Sequence, residues 1–165
     1  MTESTRQDEL PERIDIVLEG STMALYVSII LLGALVTVGS GTTNRELLSI
    51  IWGTTIGLAL AHFFAFRIAS RLHRGFAAHR GDLVIAYAQA GGAAAVAVLC
   101  SIPVIIFPES SHGNAVRFTL ALLLGVMGYM SGRTAGSSRT RSLLFGLGVA
   151  CVGIAIAAIK LALSH

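Results

Sequence analysis

The stretch LLSIIWGTTIGLALAHFFAF, residues 47–66, decides the fold of this chain. It contains no Asp, Glu, Lys or Arg over about 20 residues, which is the length a helix needs to cross the hydrocarbon of a bilayer. A lone segment in hydrocarbon is stable only as a helix, because no water is present to satisfy its backbone groups. Upstream, Thr43 is followed by Glu46 at the spacing of a capping box. The sequence therefore predicts a membrane-spanning helix that begins near Leu47.

Four further apolar runs follow the same pattern, and the composition agrees with them. The chain is 54% hydrophobic and only 13% charged, whereas soluble domains carry about 25% charged residues. The run around residues 115–131 is the weakest, since it needs Arg117 to extend its side chain to the interface. Pro103 predicts a tilt or kink in the third run. We expect an all-α membrane protein, a five-transmembrane-helix bundle with spans at 21–40, 47–66, 83–107, 115–131 and 142–160.

The positions of lysine and arginine predict the orientation of this bundle. Short cytoplasmic loops are enriched in both residues, and alternate segments of the chain hold nine and three of them. The nine are Arg6, Arg13, Arg67, Arg71, Arg74, Arg80, Arg133, Arg139 and Arg141, and the three are Arg45, Arg117 and Lys160. The N-terminus is therefore predicted to be cytoplasmic and the C-terminus outside. The clusters Arg67, Arg71, Arg74 and Arg133, Arg139, Arg141 act as topology signals or bind lipid headgroups.

Residues 1–20 form a separate acidic segment that we expect in the cytoplasm. Leu10, Ile14 and Val17 recur at helical spacing, which predicts an amphipathic helix. Its carboxylates would be repelled by an anionic leaflet, so we expect the tail to dock on the arginine-rich loops of its own bundle.

His62 is the ionisable side chain that lies deepest in an apolar run, and such a group is by default a functional candidate. It can exchange a proton near neutral pH, or it can fix helix packing as a neutral imidazole. Counting residues from the cytoplasmic ends places Tyr26, Tyr87, Gln89 and Tyr129 at similar depth. The tyrosines also fit an interfacial aromatic belt, while Gln89 needs a partner on another helix.

Small residues at four-residue spacing predict close helix packing in two spans. In span two these are Gly53, Gly57 and Ala61, and in span five they are Gly146, Ala150 and Gly153. They favour a tightly packed or self-associating bundle over a wide hydrophilic path.

The sequence gives no sign of catalysis, cofactors, metal or nucleic-acid binding. It contains no HExxH, GxSxG or P-loop motif and no paired carboxylates within the apolar runs. Cys100 and Cys151 lie in apolar runs without the spacing of a metal or disulfide motif. We expect the partners to be the bilayer and a membrane protein or a second copy of this chain.

Two stretches, IWGTTIGLALAHFFAFRIASRL (residues 51–72) and YVSIILLGAL (residues 26–35), resemble small multi-pass integral membrane proteins of uncharacterised function from actinobacteria. This resemblance covers roughly a third of the chain. It implies a bacterial plasma membrane and no activity.

Two functions remain in competition at this point. A structural or regulatory membrane subunit explains the missing chemistry. A small channel or transporter for protons or another small cation explains His62, although the apolar runs contain no Asp or Glu of the kind that commonly holds a cation.

Overall fold

Five α-helices make up the architecture. The computed structural model describes the backbone of residues 3–39, 41–74 and 80–163, and their side chains except those of 3–15, 66, 70–74, 80–82, 157, 160 and 161. The helices are α1 (Glu3–Val36), α2 (Asn44–Arg74), α3 (Arg80–Ile106), α4 (His112–Thr134) and α5 (Arg139–Leu163). All regular structure in these described residues is helical. The all-α prediction is confirmed.

Each helix contains a segment that is long and apolar enough to cross a membrane. The segments are Ile16–Val36, Asn44–Ala69, Leu83–Ile106, His112–Thr134 and Arg139–Ile156. The predicted count of five apolar helices is therefore confirmed, including the weakest one around residues 115–131. Many large apolar side chains point outward, among them Ile105 and Phe118, as expected for a helix bundle that meets lipid.

The helices extend beyond the predicted apolar runs because the helical hydrogen-bond ladder does not require apolar side chains. The clearest case is α1, which is continuous from Glu3 through the predicted boundary at residues 20 and 21. The docking of the tail on the arginine-rich loops involves side chains outside the described residues and stays a prediction.

Helix α1 is the centre of the bundle and packs against all four other helices. Val27, Leu31 and Leu35 on α1 are fully buried. On α4 the buried positions recur every four residues, forming one narrow stripe: His112, Val116, Leu120, Leu124, Gly128 and Gly132. The core therefore lies along α1, with α4 and α5 forming the tightest pair.

Local signals set the helix ends. The amide of Thr43 donates to Glu46 Oε2 at 2.9 Å, and the Glu46 amide donates to Thr43 Oγ1 at 3.3 Å. The predicted capping box is thus confirmed, and α2 starts at Asn44. At the end of α4, Gly136 has φ of +77°, and the amide of Ser137 donates to the Gly132 carbonyl. This closing turn needs a left-handed residue, which glycine supplies without steric cost.

Candidate functional site

A cleft of about 510 Å³ lies between α2 and α3. Bulky side chains form its α2 wall, including Trp52, Ile56 and Phe63, while alanines such as Ala86 and Ala90 form much of the α3 wall. Because alanine fills little space, the facing side chains leave the cleft open. Its polar lining includes His62, Tyr87 and Gln89.

A hydrogen bond between α1 and α3 lies directly behind this cleft. Nε2 of Gln89 donates to Oε2 of Glu19 at 2.8 Å, and Gln89 is only 7% exposed. The need of Gln89 for a partner on another helix, expected from the sequence, is met by a carboxylate 70 residues away.

Two glycines allow this contact. A Cβ added to Gly92 would overlap the carbonyl oxygen of Gly20, and one added to Gly20 would lie 3.1 Å from the carbonyl oxygen of Ala88. The backbones of α1 and α3 therefore approach closely at Gly20 and Ala88. Glu19 is next to Gly20 in the sequence and Gln89 is next to Ala88, so the two side chains can meet. A larger residue at position 92 would push the helices apart and separate the pair.

Glu19 was not among the site residues expected from the sequence, which placed it in the acidic segment 1–20. Helix α1 runs through the end of that segment without a break, and the bond to Gln89 brings the Glu19 carboxylate to the cleft. Local hydropathy could not identify this residue, because its role depends on a partner in another helix.

The five residues of the predicted polar layer are brought together only in part. His62, Tyr87 and Gln89 line the same cleft. Tyr26 is 47% exposed on α1, and Tyr129 packs its backbone against Gly146 of α5. Tyr26 and Tyr129 are not among the described residues that line the cleft.

The small residues of α5 pack against neighbouring helices. A Cβ on Gly146 would lie 2.5 Å from the Gly125 oxygen of α4, and one on Gly153 would lie 2.6 Å from Cδ1 of Leu124. Ala150 lies 3.9 Å from a Cβ placed on Gly125. These contacts close α4 onto α5.

The small residues of α2 have a different environment. A Cβ added to Gly53 or Gly57 would meet no atom of the described residues within 4 Å, and Ala61 is exposed. This face of α2 points away from the bundle.

The basic residues of the two predicted clusters lie near the ends of α2 and α4 and the start of α5. Arg67 is exposed and its guanidinium carbon lies 5.7 Å from the ring centre of Phe63. Arg133 donates from Nη1 to the Ser137 carbonyl at 2.9 Å, while Arg139 and Arg141 are exposed. The side chains of Arg71 and Arg74 lie outside the described residues.

Arg117 at the start of α4 has a structural role that the sequence did not reveal. Its Nε and Nη2 donate to the Leu35 carbonyl at 3.1 and 2.6 Å, and Nη2 also donates to the Val38 carbonyl at 2.9 Å. Carbonyls at the end of a helix lack intrahelical donors, so Arg117 caps α1. No local pattern signals a cap supplied from 82 residues away.

A small pocket of about 60 Å³ lies beside this cap, lined by Arg117, Glu109 and His112. His112 is 2% exposed, and its Nδ1 has no hydrogen-bond partner among the described residues. Glu109 accepts a hydrogen bond from the Asn44 amide at 3.3 Å, which ties the loop before α4 to the start of α2.

The described residues hold no group of three or more His, Cys, Asp or Glu side chains placed to bind a metal ion. Cys100 is buried in the core and Cys151 is exposed on α5. Comparisons with protein-family models, with curated proteins and with solved structures give no match for this chain.

Proposed function

We propose that this chain is a multi-pass protein of a bacterial plasma membrane and serves as a structural or regulatory subunit of a membrane complex. Its N-terminus is cytoplasmic and its C-terminus is outside. The five apolar helices, the bias in arginine placement and the actinobacterial resemblance support this proposal. It assigns no catalytic activity to the chain, since the sequence carries no catalytic motif.

The outward face of α2 is the observation that carries the proposal. Gly53 and Gly57 have open space where a side chain would be, and Ala61 continues the face one turn further on. Small residues at this spacing let another backbone approach closely, which is how transmembrane helices associate where lipid removes the hydrophobic driving force. In contrast, the equivalent residues of α5 are already covered by α4.

The occupant of this face is a transmembrane helix of a partner protein. At positions 53, 57 and 61 the partner contacts the α2 backbone directly, and the exposed side chains of Leu60 and Phe64 flank this contact. Arg67 directly follows the predicted apolar run 47–66 on the same helix, where it meets acidic groups of the partner or the lipid surface.

The test is the native mass of the complex extracted from its host membrane, compared between two variants. In Gly57→Leu, the new side chain occupies the space where the partner helix would contact the α2 backbone. Gly148→Leu makes the same change on α5, where an added Cβ also meets nothing within 4 Å. We expect a second protein in fixed ratio with wild type and Gly148→Leu, and its loss with Gly57→Leu. A monomer, a homo-oligomer or equal behaviour of the two variants would overturn the partner assignment.

A second function, a path for protons or another small cation through His62, is favoured by one specific observation. Glu19 supplies a carboxylate on α1 that accepts a hydrogen bond from Gln89, which lines the same cleft as His62. A carboxylate and an imidazole are the groups that pass protons in membranes. Liposomes containing the purified protein should then show a proton flux that His62→Ala abolishes. Wild-type liposomes as tight as empty ones would reject this function.

A further inference from the structure

The cleft between α2 and α3 has the size of a small-molecule site. Its volume of about 510 Å³ lies within the range of roughly 300–1,000 Å³ found for ligand pockets. On α2 its lining runs from Trp52 to Phe63, which spans about 16 Å at 1.5 Å per residue. The cleft is therefore elongated along the helices.

Its polar groups are concentrated in one half. His62 is near the C-terminal end of the α2 lining, and Tyr87 and Gln89 belong to the N-terminal half of α3. Because consecutive helices run antiparallel, these three side chains lie toward the α2–α3 connection. The other half is lined mainly by apolar side chains such as Ile56 and Ala93.

The described lining carries hydrogen-bonding groups and no Lys, Arg, Asp or Glu. After its bond to Glu19, the Gln89 amide keeps a second N–H and its carbonyl oxygen for a ligand. His62 adds a ring nitrogen. A phosphate headgroup would lose its hydration here without gaining a counter-charge, because no Lys or Arg belongs to the described lining. A hydroxyl or carbonyl group, in contrast, finds partners.

We propose that this cleft binds a single uncharged amphiphile, an aliphatic chain with a hydroxyl or ester headgroup. The headgroup bonds to His62 and Gln89, and the chain lies along Ile56 toward Trp52. This site is distinct from the partner face of α2, since a turn of 100° per residue places Gly53 and Gly57 about 100° and 140° around the helix from the middle of the cleft lining.

The dimensions favour an aliphatic chain over a transmembrane helix. A helix is at least about 10 Å across and needs about 30 Å to cross hydrocarbon. The cleft lining spans only about 16 Å of α2, roughly half of that length. A single acyl chain is far thinner.

Trp52 provides a direct readout, because it lines the cleft and is the only tryptophan in the chain. The probe is a monoacylglycerol with a brominated acyl chain, whose bromine quenches tryptophan on contact. The full-length protein is placed in nanodiscs of unbrominated phosphatidylcholine. The reference probe is phosphatidylcholine with the same brominated chain, at the same mole fraction.

We expect monoacylglycerol to quench Trp52 saturably at a few mole per cent, and the reference probe to quench only in proportion to its amount. Ala90→Leu narrows the cleft at an exposed position and should weaken binding at least tenfold. Ala94→Leu, also on the α3 wall, is the second filling variant in case the first unfolds. Gly148→Leu on α5 should bind as wild type does.

The headgroup assignment is tested by His62→Phe, which keeps the ring and removes the ring nitrogens. We expect monoacylglycerol binding to weaken by about five- to tenfold, as for the loss of one hydrogen bond in a desolvated site. A brominated lysophosphatidylcholine should bind at least tenfold more weakly than monoacylglycerol. Unsaturable quenching, full binding by both filling variants, or equal binding of lysophosphatidylcholine and monoacylglycerol would overturn the proposal.

Discussion

The contact between α4 and α5 gives a sharp test of the packing. Gly146 and Gly148 are two residues apart on α5, yet only Gly146 faces another backbone. Replacing each by alanine makes the same chemical change in two environments. Alanine is intrinsically favoured over glycine in a helix by about 1 kcal/mol, so any difference between the variants reports the interface.

The structure sets the size of the effect. A Cβ on Gly146 would lie 2.5 Å from the Gly125 oxygen and 2.9 Å from the Tyr129 nitrogen, both backbone atoms, whereas one on Gly148 meets nothing within 4 Å. Moving the closest contact from 2.5 Å to about 3.4 Å requires a shift of about 0.9 Å. A gap of that size forfeits a quarter to a half of the dispersion energy of each separated pair.

Overpacking of this kind costs about 1–3 kcal/mol. Set against the helix preference of alanine, Gly146→Ala should lower the free energy of unfolding by up to about 2 kcal/mol. Gly148→Ala should raise it by about 0.5–1 kcal/mol. The measurement is equilibrium unfolding in mixed micelles with increasing SDS, followed by circular dichroism and by Trp52 fluorescence. Equal stability of the two variants would refute the close approach of α4 and α5.

Three further predictions concern contacts between and within helices. Arg117→Met should lower the unfolding free energy by about 2 kcal/mol, since it removes charged donors from the α1 carbonyls. The control Arg45→Met, at an exposed position, should change the unfolding free energy by under about 0.5 kcal/mol. Equal losses for the two variants would contradict the cap. A double-mutant cycle of Glu19→Ala and Gln89→Ala in the same unfolding assay should give a coupling of about 0.6 kcal/mol, as typical between membrane helices, and additive losses would exclude the bond. Thr43→Ala should cost about 1 kcal/mol through the α2 cap; unchanged hydrogen exchange in the first turn of α2 would argue against it.

The helices could be predicted because their signals are local. Residues 47–66 specify a helix by length and apolarity alone, and the Thr43–Glu46 capping box acts within one turn. The ends were less predictable. Hydropathy detects where polar side chains begin. The backbone hydrogen bonds of α2 nevertheless continue to Arg74, through residues that a hydropathy plot assigns to a loop.

The candidate site could be predicted only in part, because it depends on lateral contacts between helices. Depth along the sequence placed His62, Tyr87 and Gln89 together, since it follows from helical rise. It did not give the direction each side chain faces, so Tyr26 and Tyr129 were included as well. Glu19 was missed because its position depends on the Gly20–Gly92 crossing.

The same limit applies to the small-residue stripes. Gly146 and Gly57 occur in similar patterns, but only the first has a neighbour in this chain. Neither pattern of small residues indicates which helix will lie beside it.

The oriented five-span topology is the central claim, and cysteine labelling tests it most directly. In a background with Cys100 and Cys151 replaced by alanine, single cysteines are placed at Thr42, Ala77, Ser110, Ser137 and Ser164. A membrane-impermeant maleimide is then applied to intact cells. Positions 42, 110 and 164 should react at once, and positions 77 and 137 only after permeabilisation. Labelling of position 137 in intact cells, or protection of position 110 or 164, would contradict the topology.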